Sequence, residues 1–216
     1  MARSIYQVST GKLEATILSW GEGETIFRVH PEIYGSVQFN PSSTGDARFS
    51  PLVTSACAVI PTLYAGTTLD CALMETVFHD VPFAAGLKNW SKATHVAGKV
   101  YSTITLDRNL ALIDLSSIAL RKLGISRKEL IESNSTQYPR TRPWAMALHD
   151  QYPNAEGLTW TSRQADPARA LVLFEERLAG PAFTVKGSST PLLQSDGSAI
   201  LDVLLLAQRL GVNLTP

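Results

Sequence analysis

Residues 25–75 contain several short apolar runs interrupted by Pro, Gly and Ser, and this segment most constrains what the chain can become. Runs of this length and spacing are typical of short strands joined by loops. Two arginines, a tyrosine and a carboxylate lie within or beside the runs: Arg28, Arg48, Tyr64 and Glu75. A structural domain has no need of charged side chains in its most apolar segment. These residue types can bind a diphosphate, stack on an aromatic ring and stabilise a developing cation.

The composition is that of an ordinary globular protein. A length of 216 residues, with 44% hydrophobic and 18% charged residues, predicts one domain over residues 1–216 with a core that needs no disulfide or metal. Lys and Arg number 19, as do Asp and Glu, so the zero net charge gives no support for direct nucleic-acid binding. Cys57, Cys71 and the four histidines follow no metal-binding spacing. The absence of a signal-peptide pattern and of a membrane-length apolar run predicts a soluble cytoplasmic protein.

Short strands dominate the pattern, and helices are inserted irregularly between them, which predicts an α+β fold rather than regular βαβ alternation. Helices are expected at residues 116–123, from the capping box at 126–129, at 144–152 after a proline-rich break at 137–143, and at 198–210. The strands are expected at residues 25–29, 60–65, 100–106, 111–115, 157–162, 170–175 and 181–188. One side of the last helix is formed by Leu201, Leu204, Leu205 and Gln208.

Another helix is predicted to begin after the strand at 60–65. Thr67 or Thr68 is the expected N-cap, and Asp70 lies in the first turn, where an acidic side chain favours the helix dipole. The apolar stripe of this helix is formed by Leu69, Ala72, Leu73 and Val77. Glu75 lies off the stripe, so its carboxylate is predicted to point along the flank of the helix.

Five pieces of the chain, in order, resemble the RES-domain family, which is named for an arginine, a glutamate and a serine. They are the strand of Arg28, the Asn-Pro and Arg-Phe pairs at 40–41 and 48–49, the Leu-Tyr-Ala strand at 63–65, the Ala-Leu-Met-Glu helix at 72–75, and the Trp-Thr-Ser-Arg segment at 160–163 before the apolar strand at 171–174. These core motifs span residues 25–174. The stretch 88–152 is longer than a minimal site needs and is interpreted as a helical insertion. That insertion and the C-terminal helix could form an oligomer interface, cover the site or dock a partner.

The resemblance implies a fold similar to ADP-ribosyltransferases, with a mixed β core and surrounding helices, and an enzyme that consumes NAD without a metal. In this interpretation Arg28 and Arg48 hold the diphosphate, and Tyr64 stacks on nicotinamide. Glu75 stabilises the ribosyl cation, and Ser162 orients the ribose. The family also implies a bacterial toxin that depletes NAD and a helix-turn-helix antitoxin as its partner, so any DNA binding belongs to that partner.

Several alternatives remain open at this stage. Water, inorganic phosphate or a protein side chain could accept the ADP-ribosyl group, giving a glycohydrolase, a phosphorylase or a protein ADP-ribosyltransferase. ADP-ribosyltransferases often carry a second acidic or polar residue two positions before the glutamate, and Leu73 at that position favours hydrolysis. Each candidate residue also has an ordinary structural interpretation, such as an ion pair for Arg28 or a core hydroxyl for Tyr64. A catalytically inactive nucleotide-binding or partner-binding domain is therefore the second hypothesis.

Overall fold

The computed structural model describes residue 8 and residues 11–193 and 198–216. The first half contains β1 (Thr16–Trp20), β2 (Thr25–Pro31), β3 (Leu52–Val53), β4 (Val59–Ile60), β5 (Thr62–Gly66), α1 (Leu69–Met74), β6 (Lys88–Ser91), α2 (Lys92–His95) and β7 (Lys99–Leu106). The second half contains β8 (Leu110–Asp114), α3 (Ser117–Leu123), α4 (Arg127–Leu130), α5 (Tyr138–Gln151), β9 (Gly157–Thr161), β10 (Arg169–Phe174), β11 (Phe183–Pro191), α6 (Ser198–Arg209) and β12 (Val212–Thr215). Short 3₁₀ turns precede α5 and follow β10.

In the described part of the chain the main sheet has eight strands in the order β1-β8-β9-β10-β5-β2-β7-β11. Neighbouring strands are antiparallel except β8 and β9, which run parallel, so the sheet is mixed. Strands β6 and β12 form a small parallel pair, and β3 pairs with β4. The centre of the sheet, where β5 lies between β10 and β2, joins segments that are about a hundred residues apart in sequence.

The core lies on both faces of the main sheet. Alternate residues of β10 separate the two sides: Val172 and Phe174 belong to the cluster that contains Trp144 and Leu148 of α5, whereas Leu171 packs on the opposite side. This alternation follows from the period of two along a strand. A third cluster joins α1 to α6. The candidate residues of β2, β5 and α1 are therefore carried by well-packed elements.

The α+β class predicted from sequence is confirmed, and so are the local signals at helix ends. The Thr68 side chain caps α1, and Ser116 caps α3. Gly124 closes α3 in the left-handed conformation with φ 72°, which glycine adopts without steric cost. Ser126 and Glu129 form the predicted capping box of α4.

Two helix predictions were wrong at one end. Helix α1 ends at Met74, with Glu75 as its C-cap, instead of continuing to Val77. Helix α5 begins at Tyr138, because proline is compatible with the first turn of a helix, and it includes Pro143, which was expected to precede it. The cost of the missing hydrogen bond at Pro143 is offset by the packing of Trp144, Leu148 and their neighbours in the core.

The stretch 88–152 is not a purely helical insertion. It supplies β7 and β8, which lie inside the main sheet between β2 and β11 and between β1 and β9. Strands β1, β3, β6 and β12 were not predicted; they are short and carry exposed or half-buried positions, so their patterns are weak.

Helix α6 packs on the core through Ala199, Val203, Leu206 and Ala207. The leucine side singled out in the sequence faces outward, with Leu201, Leu204 and Leu205 exposed. Within the described residues no helix combines the length and apolarity that crossing a membrane requires.

Candidate functional site

A cleft of about 310 Å³ opens beside the C-terminal end of α1. Four of the five candidate residues from the sequence line it: Arg28 from β2, Arg48 from the loop before β3, Tyr64 from β5, and Glu75 at the end of α1. The fold therefore brings segments that are distant in sequence to one surface. The cleft contains two guanidinium groups and one predicted catalytic carboxylate, which suits a ligand that carries both anionic and cationic groups.

The Glu75 carboxylate is held from two sides. Ser162 Oγ donates to Glu75 Oε1 at 2.8 Å, and Arg48 Nη1 donates to Glu75 Oε2 at 3.4 Å. The side chain of Glu75 is 15% exposed and that of Arg48 is 4% exposed, so the ion pair is largely removed from water. Three of the five candidate residues, Arg48, Glu75 and Ser162, thus meet at one point. A carboxylate fixed in this way is pre-oriented to stabilise positive charge in the cleft.

Arg48 is held by its own loop and by helix α5. Its carbonyl accepts a hydrogen bond from Thr141 Oγ1, and its guanidinium carbon lies 5.5 Å from the centre of the Tyr138 ring. Among the described residues no partner is present for Arg48 Nε, although that atom is buried. A buried guanidinium group that has a free donor beside a cleft can bind an anionic ligand.

Tyr64 supports the loop that carries Arg48. Its hydroxyl accepts a hydrogen bond from the Phe49 backbone N–H at 3.0 Å, and its ring packs edge-on to Trp160 at 6.4 Å. Burial raises the pKa of Tyr64 to about 12. The phenol is therefore neutral at physiological pH, and it can pack against a ligand but is a poor general base.

Arg28 enters the cleft from the middle of β2 and is itself buried. Its Nη1 donates to the carbonyls of Gly35 and Ser36 at 3.0 and 2.9 Å. No carboxylate forms an ion pair with Arg28 in the described part of the chain, so the ion pair considered from the sequence is not observed there. Burial lowers the pKa of Arg28 to about 10, which still leaves it charged at neutral pH. A buried cation of this kind favours an anion in the cleft.

Ser162 is fully buried and lies behind Glu75 rather than on the wall of the cleft. It follows β9, and its hydroxyl also accepts from the backbone N–H of Gln164 at 3.2 Å. The direct contact with ribose expected from the sequence is therefore not favoured by this placement. The geometry instead assigns Ser162 to the orientation of Glu75.

Among the other residues that line the cleft, which were not predicted as site residues, are His30, His79 and Tyr138. His30 had a usable signal, because it follows Arg28 by two positions in one strand and so points to the same face. Tyr138 comes from the start of α5 and had no local signal. In the described chain no cluster of three His, Cys, Asp or Glu side chains could hold a metal ion.

Comparison with known proteins identifies the family of this chain. The RES domain matches residues 25–193 of the chain. Among solved structures, a chain of the crystal structure of the M. tuberculosis MbcT–MbcA toxin–antitoxin complex is 15% identical, with a TM-score of 0.56, over 82% of this chain and 88% of that chain. No curated protein sequence matches. The structural likeness confirms the predicted α+β fold, which this chain shares with that structure. Because the family match covers most of the chain, this protein belongs to the RES-domain family.

Proposed function

We propose that this protein cleaves the bond between nicotinamide and ribose in NAD and acts as a toxin by depleting NAD. The observation that carries the proposal is the Glu75 carboxylate, held by Ser162 and Arg48 at a cleft that also contains the buried cation of Arg28. This arrangement combines a group that stabilises a ribosyl cation with groups that bind a diphosphate.

The reaction needs little acid catalysis, because nicotinamide leaves as a neutral base. The electron pair of the C1′–N bond goes to the pyridine nitrogen, and the ribose becomes an oxocarbenium-like cation. The negative charge of Glu75 would stabilise that cation. An acceptor oxygen then bonds to C1′ and releases its proton to solvent. The expected gain is electrostatic, because Glu75 is oriented before the cation forms.

The diphosphate of NAD would bind to Arg28 and Arg48. The guanidinium group offers a planar set of donors that matches phosphate oxygens. Arg28 has no carboxylate partner in the described chain, and Arg48 Nε is buried there without a partner, so both have donors to offer. Tyr64, which lines the same cleft as a neutral phenol, supplies a ring against which nicotinamide can stack.

Water or inorganic phosphate is the acceptor that we favour over a protein side chain. The position two residues before Glu75, where a second polar residue would contact a protein acceptor, is Leu73, and this side chain is fully buried. It cannot reach an acceptor in the cleft. Protein ADP-ribosylation and simple nucleotide binding remain as outcomes of the test below.

The test is to incubate the purified chain with NAD, with and without phosphate, and to separate the products by chromatography with mass detection. We expect free nicotinamide, and ADP-ribose or its 1-phosphate identifies the acceptor. Expression in a bacterial host should lower cellular NAD and arrest growth. Labelled protein in a lysate with labelled NAD would indicate a transferase. A folded chain that releases no nicotinamide and labels no protein would favour the binding-domain hypothesis.

Replacing Ser162 by alanine distinguishes two possible roles of its hydroxyl, which are to orient Glu75 or to contact the ribose. We expect kcat for nicotinamide release to fall about 10- to 100-fold, because a hydrogen bond to a charged group contributes about 1.5–3 kcal/mol. The KM for NAD should change little, since Ser162 does not line the cleft. Ser133→Ala is the matched control, because Ser133 is also fully buried but donates only to the Leu130 carbonyl. A change confined to KM would instead support a direct ribose contact.

An inhibitory partner belongs to the same proposal. The structural neighbour was solved as a toxin–antitoxin complex, and its fold is that of this chain. We propose that a helix-turn-helix antitoxin neutralises this protein and that the antitoxin carries any DNA-binding function. Relief of growth arrest by the co-expressed partner is the test of this point.

A further inference from the structure

A chain of hydrogen-bonded side chains runs beside the cleft and is not used by the reaction proposed above. Ser36 Oγ lies 3.1 Å from Ser189 Oγ, and Ser189 Oγ lies 2.8 Å from Ser102 Oγ. Ser102 Oγ lies 2.8 Å from His30 Nε2, and His30 Nδ1 lies 2.9 Å from the Pro31 carbonyl oxygen. The chain thus connects the loop after β2 with β11, β7 and β2.

The direction of these hydrogen bonds is determined at one end. The Pro31 carbonyl can only accept, so His30 Nδ1 carries the proton and donates to it. In a neutral imidazole, Nε2 is then an acceptor, and Ser102 must donate to it. Ser102 accepts from Ser189 in turn, and Ser189 accepts from Ser36. Each hydroxyl donates one hydrogen bond, so every donor in this series of side chains has an acceptor.

The neutral state of His30 is favoured by its surroundings. The ring is buried, and burial together with the nearby positive charge of Arg28 lowers the pKa of His30. Arg28 and Ser102 are also cross-strand partners in the β2–β7 pair. This series of hydrogen bonds therefore lies beside the Arg28 guanidinium group. It contains no second charge, because His30 is neutral.

The other end of the chain meets Arg28 directly. Ser36 holds Ser189 with its side chain, while its backbone carbonyl accepts from Arg28 Nη1 at 2.9 Å. The Gly35 carbonyl accepts from the same nitrogen at 3.0 Å. The position of these two carbonyls determines the orientation of Arg28, and Ser189 ties their loop to the edge strand β11.

We propose that Ser36, Ser102, Ser189 and His30 are positioning residues that hold the Gly35–Ser36 carbonyls against Arg28 and so fix its guanidinium group in the cleft. This inference rests on the proposed function in one respect, namely that Arg28 binds the diphosphate of NAD. The chain of hydrogen bonds then determines affinity for the dinucleotide rather than the rate of bond cleavage, because Glu75 has its own supports in Ser162 and Arg48.

The kinetic test replaces Ser189 by alanine. We expect the KM for NAD to rise about five- to tenfold, because the hydrogen bonds of Ser189 with Ser36 and Ser102 are both lost, with kcat within twofold of the wild-type value. Ser188→Ala, at an exposed position next to Ser189 on β11, should leave both constants unchanged. Ser189→Thr keeps the hydroxyl and should restore the KM. A fall in kcat with unchanged KM, or no change in either constant, would overturn the proposal.

A second measurement needs no substrate and is independent of NAD cleavage. Nitrogen NMR of the ligand-free protein should show His30 as the Nδ1–H tautomer and separate, slowly rotating Nη signals for Arg28, with Arg28→Lys used to assign them. In Ser189→Ala, and not in Ser188→Ala, the Arg28 signals should merge as the guanidinium group gains freedom. Unaltered Arg28 signals in a folded Ser189→Ala protein would refute the positioning role, whether or not the wild type cleaves NAD.

Discussion

Glu75→Gln should lower kcat for nicotinamide release by about 10²–10³-fold, because it removes the negative charge that we propose stabilises the ribosyl cation at the moment it forms. The glutamine oxygen can still accept from Ser162 Oγ, whereas the amide nitrogen cannot accept from Arg48 Nη1. The KM for NAD should change much less than kcat. Initial rates over a range of NAD concentrations measure both constants, and urea unfolding of each variant checks that the fold is intact.

The matched control is Glu32→Gln, which removes one negative charge at an exposed position on the loop after β2. This variant should keep wild-type kcat and should still arrest growth of an expressing host. The Glu75→Gln strain should grow normally. A folded Glu75→Gln protein that releases nicotinamide at the wild-type rate would exclude Glu75 as the catalytic carboxylate.

Arg48→Lys is expected to have the second largest effect, a loss of about 10- to 100-fold in kcat/KM. Lysine keeps the positive charge but offers a single nitrogen in place of the planar guanidinium fork. It cannot contact Glu75 and a phosphate oxygen from two sides, and it loses the stacking of the guanidinium group over Tyr138. Steady-state kinetics and calorimetric titration with ADP-ribose measure the loss in catalysis and in ground-state binding separately.

Arg121→Lys, at an exposed position of α3, is the control for the same change of side chain away from the cleft. It should leave kcat/KM and ADP-ribose affinity unaltered. Equal kcat/KM values for Arg48→Lys and the wild type would show that charge alone is sufficient at residue 48. The proposed fork-like contact with phosphate would then be wrong.

The parts of the fold that sequence could predict are those specified by neighbouring residues. Gly124 and the Ser126–Glu129 box gave helix ends to within one residue, because a cap is satisfied by atoms three or four positions away. The start of α5 at Tyr138 was missed, since its two prolines read as a break and only packing of the distant core keeps the helix continuous. Strands β6 and β12 depend on pairing with each other across about 120 residues, which no local pattern reveals.

The same distinction between local signals and distant contacts applies to the candidate site. Arg28, Arg48, Tyr64 and Glu75 were identified because they interrupt apolar runs and match an ordered set of motifs. Their mutual geometry was not predictable: the sequence gives no sign that Ser162 contacts Glu75, 87 residues away, or that Thr141 holds the Arg48 carbonyl, 93 residues away. Ser162 was identified from its motif but with a different role, whereas Thr141 belongs to none of the recognised motifs.

The long sequence separation across β5 has a consequence for how the protein is made. A growing chain carries Arg28, Arg48, Tyr64 and Glu75 out of the ribosome long before β9 and β10 are synthesised. Until then β5 lacks the neighbour that pairs with it from residue 62 to residue 66, and Glu75 lacks Ser162. Domains dominated by such distant pairings fold slowly, because the distant segments must be brought together first. The site is therefore completed only after residue 174 has been translated, and a shorter polypeptide on the ribosome lacks the strand that pairs with β5.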